Sequence, residues 1–136
     1  MERHVLIIDD NEAHAETLAE ALTRPGVRCS VATSGQAGIA LLREDPADIV
    51  ITDLVMPDMD GFRVLAEAKA IDESVEVILV TAHGSIESAV EAMKRGAAEY
   101  VTKPVNVEEL RTKFDKQLEK QSLSRENREL HTALDR

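Results

Sequence analysis

The sequence predicts a doubly wound α/β domain: a five-stranded parallel sheet covered by helices on both faces, with a long C-terminal helix that continues past it. Three observations carry this prediction. Short runs rich in Val and Ile alternate five times with segments of helical spacing. The central runs are continuous rather than alternating, as strands buried on both faces require. Capping residues stand just ahead of the helical segments.

The elements follow in order. The run Val5–Ile8 leads to Asn11 as a cap and to helical spacing from Ala13 to Leu22, closed by Pro25-Gly26. A weaker run, Val27–Ala32, precedes the Ser34 cap and a pattern from Gly35 to Leu42. Asp48–Thr52 is the third strand, and Asp60 caps the pattern from Phe62 to Ala70. Val75–Val80 is the fourth, followed by Ser85 and the pattern from Ile86 to Met93, which Gly96 ends. The fifth run, Ala97–Thr102, is weaker. Asn106 with Glu109 then makes a capping-box-like start for a last helix.

That last pattern begins near Val107 and does not stop before Leu134, too long to lie wholly on one small domain. The expected division is a body over residues 1–120 and a linker helix over 121–136. Leu123, Asn127, Leu130 and Leu134 fall at spacings of four, three and four. With Leu123 and Leu130 at d, Asn127 and Leu134 occupy a, which predicts a short parallel coiled coil and so a homodimer.

A chain of 136 residues is one domain's worth, large enough to bury a core without disulfides. Its single cysteine, Cys29, has no partner and reads as strand packing. No apolar run approaches the roughly 20 residues that span a bilayer, and Met1-Glu2-Arg3-His4 does not open a signal peptide. A cytoplasmic location fits. Residues 106–136 hold seven basic and seven acidic residues, so the net charge of −10 falls on residues 1–105, with nine basic and nineteen acidic. An acidic body argues against direct nucleic-acid binding, which needs a basic stripe.

In a parallel α/β sheet, ligands bind outside the carboxyl ends of the strands. The first strand ends in Asp9-Asp10, the third in Asp53, the fourth in Thr81 and the fifth in Thr102-Lys103-Pro104. Three carboxylates, a hydroxyl and an ammonium should therefore meet at one edge. Each carboxylate pair costs roughly 4 kcal/mol at 4 Å and an effective dielectric of about 20. A hard divalent cation relieves this, Mg2+ first and Mn2+ as a substitute. Such a site suits phosphoryl transfer to an aspartate, and Thr81 and Lys103 are the donors available to an incoming phosphoryl group. Asp60 reads as a helix cap, Asp58 as a solvated loop acid and His83 as a loop residue. His4, His14 and His131 lie far apart and suggest no metal site.

Taken together, Ile8-Asp9-Asp10-Asn11, Asp53-Leu54-Val55-Met56-Pro57-Asp58-Met59-Asp60-Gly61, Thr81-Ala82 and Lys103-Pro104 resemble the receiver domain of two-component response regulators over about residues 3–120. The resemblance implies a flavodoxin-like (CheY-like) five-stranded sheet of order 2-1-3-4-5. It also implies that Asp53 is the phosphoacceptor for a sensor histidine kinase. Asp10, Asp53 and the backbone carbonyl of Val55 would then bind Mg2+, with Asp9 acting through water. Lys103 and Thr81 would hold the phosphoryl group, and Tyr100 would be the switch aromatic that turns inward when Thr81 moves. The Lys103-Pro104 bond resembles one that is cis in this family. Such a domain is a bacterial regulatory module, not an enzyme: it promotes only its own phosphotransfer and dephosphorylation. The run from His83 to Tyr100 and the tail Arg125-Glu126-Asn127-Arg128-Glu129-Leu130 resemble receivers of the NtrC/DctD class, activators that act on sigma-54 polymerase through an AAA+ ATPase. The sequence holds no Gly-x-x-x-x-Gly-Lys loop, so the chain is expected to be the regulatory fragment of such a protein.

Other readings meet specific obstacles. A phosphatase using a strand-end Asp would need a second catalytic Asp two residues later, where Val55 stands. A flavin or nucleotide binder would open its first loop with Gly or Ser/Thr, where Asp9-Asp10-Asn11-Glu12 would repel phosphate without a metal. A pseudo-receiver acting only by contacts would not need all five positions.

Overall fold

The structure is a computed structural model that describes the backbone of residues 2–134 and the side chains of residues 2–123. Strands β1 (Arg3–Ile8), β2 (Val27–Ala32), β3 (Ile49–Asp53), β4 (Glu76–Thr81) and β5 (Glu99–Thr102) alternate with helices α1 (Glu12–Leu22), α2 (Gly35–Glu44), α3 (Gly61–Ile71), α4 (Ile86–Lys94) and α5 (Val107–Leu134). The strands form one sheet in the order β2-β1-β3-β4-β5, and every neighbouring pair is parallel. The expected topology is therefore observed.

The sheet's two faces explain the continuous apolar runs. Leu6 and Ile8 of β1 face a cluster with Ile39 and Leu42 of α2 and Val64 and Leu65 of α3. Val5 and Ile7, one residue out of phase, face Leu18 and Leu22 of α1 and Leu110 and Phe114 of α5. A strand covered on both sides must be apolar at every position, because successive side chains point to opposite faces. Burying each such side chain stabilises the fold by about 1.5–3 kcal/mol.

The caps act as expected. The side chains of Asn11, Ser34, Asp60 and Ser85 accept from the backbone N–H groups of His14, Ala37, Arg63 and Ser88, and that of Asn106 accepts from Glu109 N–H. Two details differ from expectation. α1 closes at Thr23, whose N–H bonds the carbonyl of Ala19, while Pro25-Gly26 makes the next turn, closed by the bond from Val27 N–H to the carbonyl of Arg24. Gly26 takes φ +85 there, a region where a Cβ is costly. Asp58, expected as a solvated loop acid, is exposed but bonded: its carboxylate accepts from the N–H groups of Gly35 at 3.2 Å and Gln36 at 2.9 Å. It thus caps α2 across 22 residues of sequence, beside Ser34. These backbone N–H bonds hold its carboxyl below the usual carboxylate range.

α5 is bonded to the body as far as Ser122. Leu110, Phe114 and Leu118 supply its apolar stripe. Beyond them Gln121, 1% exposed, donates to the carbonyls of Asp48 at 2.5 Å and Ser74 at 2.8 Å, and accepts from Arg3 at 2.6 Å. Arg3 also donates to the Ser122 hydroxyl. Leu123 is exposed. The side chains of Asn127, Leu130 and Leu134, on which the coiled-coil expectation rests, lie outside the described residues. Among the described residues no helix is long and apolar enough to cross a membrane.

Candidate metal centre

Three strand ends and the first turn of α1 build the site. β1 ends at Ile8, so Asp9 and Asp10 follow directly, and the bond from Asp9 N–H to the carbonyl of Ala32 holds the turn to β2. Asp53 closes β3. The start of α3 comes unusually close to it: a Cβ on Gly61 would stand 2.8 Å from the carbonyl oxygen of Asp53 and 2.8 Å from Cα of Leu54. Glycine there allows Gly61 N–H to bond the carbonyl of Leu54 at 2.8 Å and fixes the loop that carries Val55. Lys103 follows β5, its N–H bonded to the carbonyl of Thr81 at 2.8 Å and its bond to Pro104 cis, as the resemblance implied.

Carboxylate oxygens of Asp9, Asp10 and Asp53 lie within 4.8 Å of one another. Asp9 and Asp53 are buried and Asp10 is exposed. Lys103 Nζ stands 3.0 Å from Asp53 Oδ2 and 3.5 Å from Asp9 Oδ2. Three negative charges thus face one ammonium, with the third carboxylate open to solvent. An all-oxygen donor set of this kind fits a hard divalent cation, whose remaining positions water or phosphate oxygens fill.

Asp9 is surrounded by donors. Its Oδ1 accepts from Asn11 N–H at 2.9 Å and its Oδ2 from His14 Nδ1 at 2.5 Å. Burial opposes its ionisation, but the bonds from His14 and Asn11 and the positive charge of Lys103 outweigh it, so its carboxyl sits below the usual value. Burial likewise opposes the charge on Lys103, and the carboxylates of Asp53 and Asp9 outweigh it and raise the ammonium. Asp9's contribution to stability is present above the unfolded carboxyl pKa and is lost as pH falls through the lowered folded value. That of Lys103 is present below the unfolded ammonium pKa and is lost as pH rises through the raised one.

The remaining candidates lie on β4, β5 and the loop after β3. Thr81 ends β4, fully buried, one residue past Val80, which pairs with Asp53. Its hydroxyl accepts from His83 N–H at 3.0 Å, which leaves its own proton to donate and ties it to the loop before α4. Tyr100 is half-buried, packs against the cluster under α3, and its hydroxyl lies 2.5 Å from Ser88 Oγ in the first turn of α4. Val55 is exposed, two residues after Asp53.

His14 is the site residue that sequence reasoning missed. It lies at the third position of α1, counted from the Asn11 cap. Side chains there reach back toward the helix N-terminus, here the end of β1. The spacing Asp9-x-x-x-x-His14 was a signal available in the sequence.

A family model for the response regulator receiver domain matches residues 5–115. The regulatory protein AtoC of Escherichia coli (strain K12) is 36% identical over 130 residues, 96% of this chain and 28% of AtoC. The transcriptional regulatory protein GlrR of the same organism is 36% identical over 125 residues, 92% of this chain and 28% of GlrR. The chain thus spans little more than a quarter of the length of these relatives. Among solved structures, a response regulator receiver domain protein (CheY-like) from Methanospirillum hungatei JF-1 superposes with a TM-score of 0.85 at 27% identity, covering 91% of this chain and 99% of that one. NtrX from Brucella abortus, crystallised with ADP, superposes with a TM-score of 0.87 at 27% identity, covering 96% of this chain and 30% of NtrX.

Proposed function

This chain belongs to the response regulator receiver domain family, and on that premise we propose that Asp53 accepts a phosphoryl group from a sensor histidine kinase and so switches an output domain. The single observation that carries this reading is the convergence of Asp9, Asp10 and Asp53 within 4.8 Å, with the Lys103 ammonium 3.0 Å from Asp53. Asp10, Asp53 and the Val55 carbonyl would hold Mg2+, with Asp9 acting through water. When bound, the cation neutralises the carboxylates and the approaching phosphate.

The chain's own groups do the rest. An Asp53 oxygen attacks phosphorus and a new O–P bond forms. The bond to the donor breaks, its electron pair leaving with the histidine nitrogen of the kinase, or with acetate when acetyl phosphate is the donor. Lys103 turns from the Asp53 carboxylate to the new phosphoryl oxygens. Thr81 donates its free proton to another, and through His83 N–H it draws the loop before α4 with it. Tyr100, bonded to Ser88, couples that movement to α4.

Thr81→Ala and Tyr100→Ala should separate chemistry from switching. Neither side chain supplies the nucleophile or a metal ligand, so both variants should bind Mg2+ and take up phosphoryl. Amide NMR shifts on phosphorylation over residues 81–102 should shrink. Loss of Mg2+ binding in Thr81→Ala would overturn the assignment of roles.

The output reading is that of the NtrC/DctD class, an AAA+ activator of sigma-54 transcription. It is supported by similarity to one region of longer bacterial regulatory proteins. The heptad spacing of Leu123, Asn127, Leu130 and Leu134 in the sequence supports pairing of two copies as a short coiled coil. Truncation after Ser122 keeps the Gln121 anchor and should convert a dimer at tens of micromolar, a weak-interface affinity, to monomer in sedimentation, with phosphoryl uptake unchanged. A full chain that sediments as monomer, with and without phosphoryl, contradicts the dimer.

A further inference from the structure

His14 has no part in the chemistry above, yet its imidazole makes the shortest bond to the buried carboxylates, 2.5 Å from Nδ1 to Asp9 Oδ2. We infer that His14 is a positioning residue whose Nδ1–H holds the Asp9 carboxylate, so that the single ammonium of Lys103 is left to Asp53. The inference rests on the reading of Asp53 as phosphoacceptor, in which Lys103 must meet oxygens carried on that side chain.

Two buried carboxylates compete for one ammonium. Both Asp9 and Asp53 are less than a tenth exposed, and Lys103 lies nearer to Asp53, at 3.0 Å against 3.5 Å. The asymmetry has a visible cause. Asp9 Oδ2 already takes an N–H from His14 and Oδ1 takes one from Asn11 N, so a close ammonium adds little to it. An ionised carboxylate only accepts, so the imidazole proton must sit on Nδ1. The donor stands on a fixed element, because the Asn11 side chain bonds the backbone N–H of His14 itself at 3.1 Å.

Without that donor, Asp9 keeps a buried charge, the backbone N–H of Asn11 and the long contact to Lys103. The nearest replacement is Lys103, half an ångström from normal bonding distance. Its shift toward Asp9 withdraws it from Asp53 and from any phosphoryl group there. The cation is affected differently, since losing a donor frees an Asp9 oxygen without adding positive charge, and so leaves the cluster no weaker as a Mg2+ site. Slower transfer with undiminished metal affinity is a split that general damage to the fold does not produce, because damage weakens both.

Two variants test this in the full chain. His14→Leu keeps bulk on a partly exposed helical position and removes the donor. His14→Asn places an amide N–H on the atom that matches Nδ1. Mg2+ affinity is read by calorimetric titration, and the rate of uptake from acetyl phosphate at saturating Mg2+ by intact mass. His14→Leu should be slower by about tenfold, the weight of one charge-assisted bond, with Mg2+ affinity equal to or above wild type. His14→Asn should stay within about twofold of the wild-type rate. A wild-type rate in His14→Leu, a parallel loss of Mg2+ affinity, or an equally slow His14→Asn overturns the inference while the phosphoacceptor reading stands. A wild-type chain that neither binds Mg2+ nor takes up phosphoryl overturns both.

Discussion

Asp53→Asn should reduce phosphoryl uptake to background, a loss of at least about a thousandfold, as expected when an enzyme-like site loses its nucleophile. The amide oxygen is neutral and bears no charge to offer phosphorus. The substitution also removes the partner that holds Lys103 Nζ at 3.0 Å. The rest of the fold should persist, because Asn fills the same volume and the backbone bond of Gly61 N–H to Leu54 is untouched. Intact mass after incubation with acetyl phosphate and Mg2+ reads the effect. Circular dichroism confirms that the variant is folded.

Asp10→Asn should weaken Mg2+ binding by at least about thirtyfold. A divalent cation about 4 Å from one negative charge gains about 2 kcal/mol even at the dielectric of water, and each 1.4 kcal/mol is a factor of ten. Asp10 is the exposed member of the trio, so its removal costs the fold little, whereas Asp9 is buried and bonded into the turn. Asp10→Asn should therefore keep its melting temperature in EDTA and lose most of the Mg2+-dependent rise expected of wild type. Thermal melts with increasing Mg2+ measure both at once. An unchanged Mg2+-dependent rise would remove Asp10 from the ligand set.

The fold was legible because its determinants are local. Val5–Ile8 and Val75–Val80 are apolar at every position since helices cover both faces of those strands, and Asn11, Ser34, Asp60 and Ser85 cap the segments they precede. The candidate site was legible for a related reason. In a parallel sheet the carboxyl ends of all the strands lie at one edge, so Asp9, Asp10, Asp53, Thr81 and Lys103 could be gathered by reading strand ends. What escaped was tertiary. Asp58 looked like a loop acid because the N–H groups it caps belong to Gly35 and Gln36, on another element. His14 looked isolated when compared only with other histidines, although its partner is the carboxylate of Asp9. Gln121, a polar residue in a helix of low apolar content, gave no sign of being buried. Its partners, the carbonyls of Asp48 and Ser74, are backbone atoms that side-chain patterns do not mark.

The claim that Asp53 is a metal-assisted phosphoacceptor is tested most directly by mapping the modification. Wild-type chain is incubated with acetyl phosphate in Mg2+ or in EDTA, and the peptide carrying the phosphoryl group is identified after borohydride reduction of the acyl phosphate. One phosphoryl per chain is expected, on Asp53, in Mg2+ and almost none in EDTA. Full labelling in EDTA, or a label on any residue other than Asp53, would contradict it.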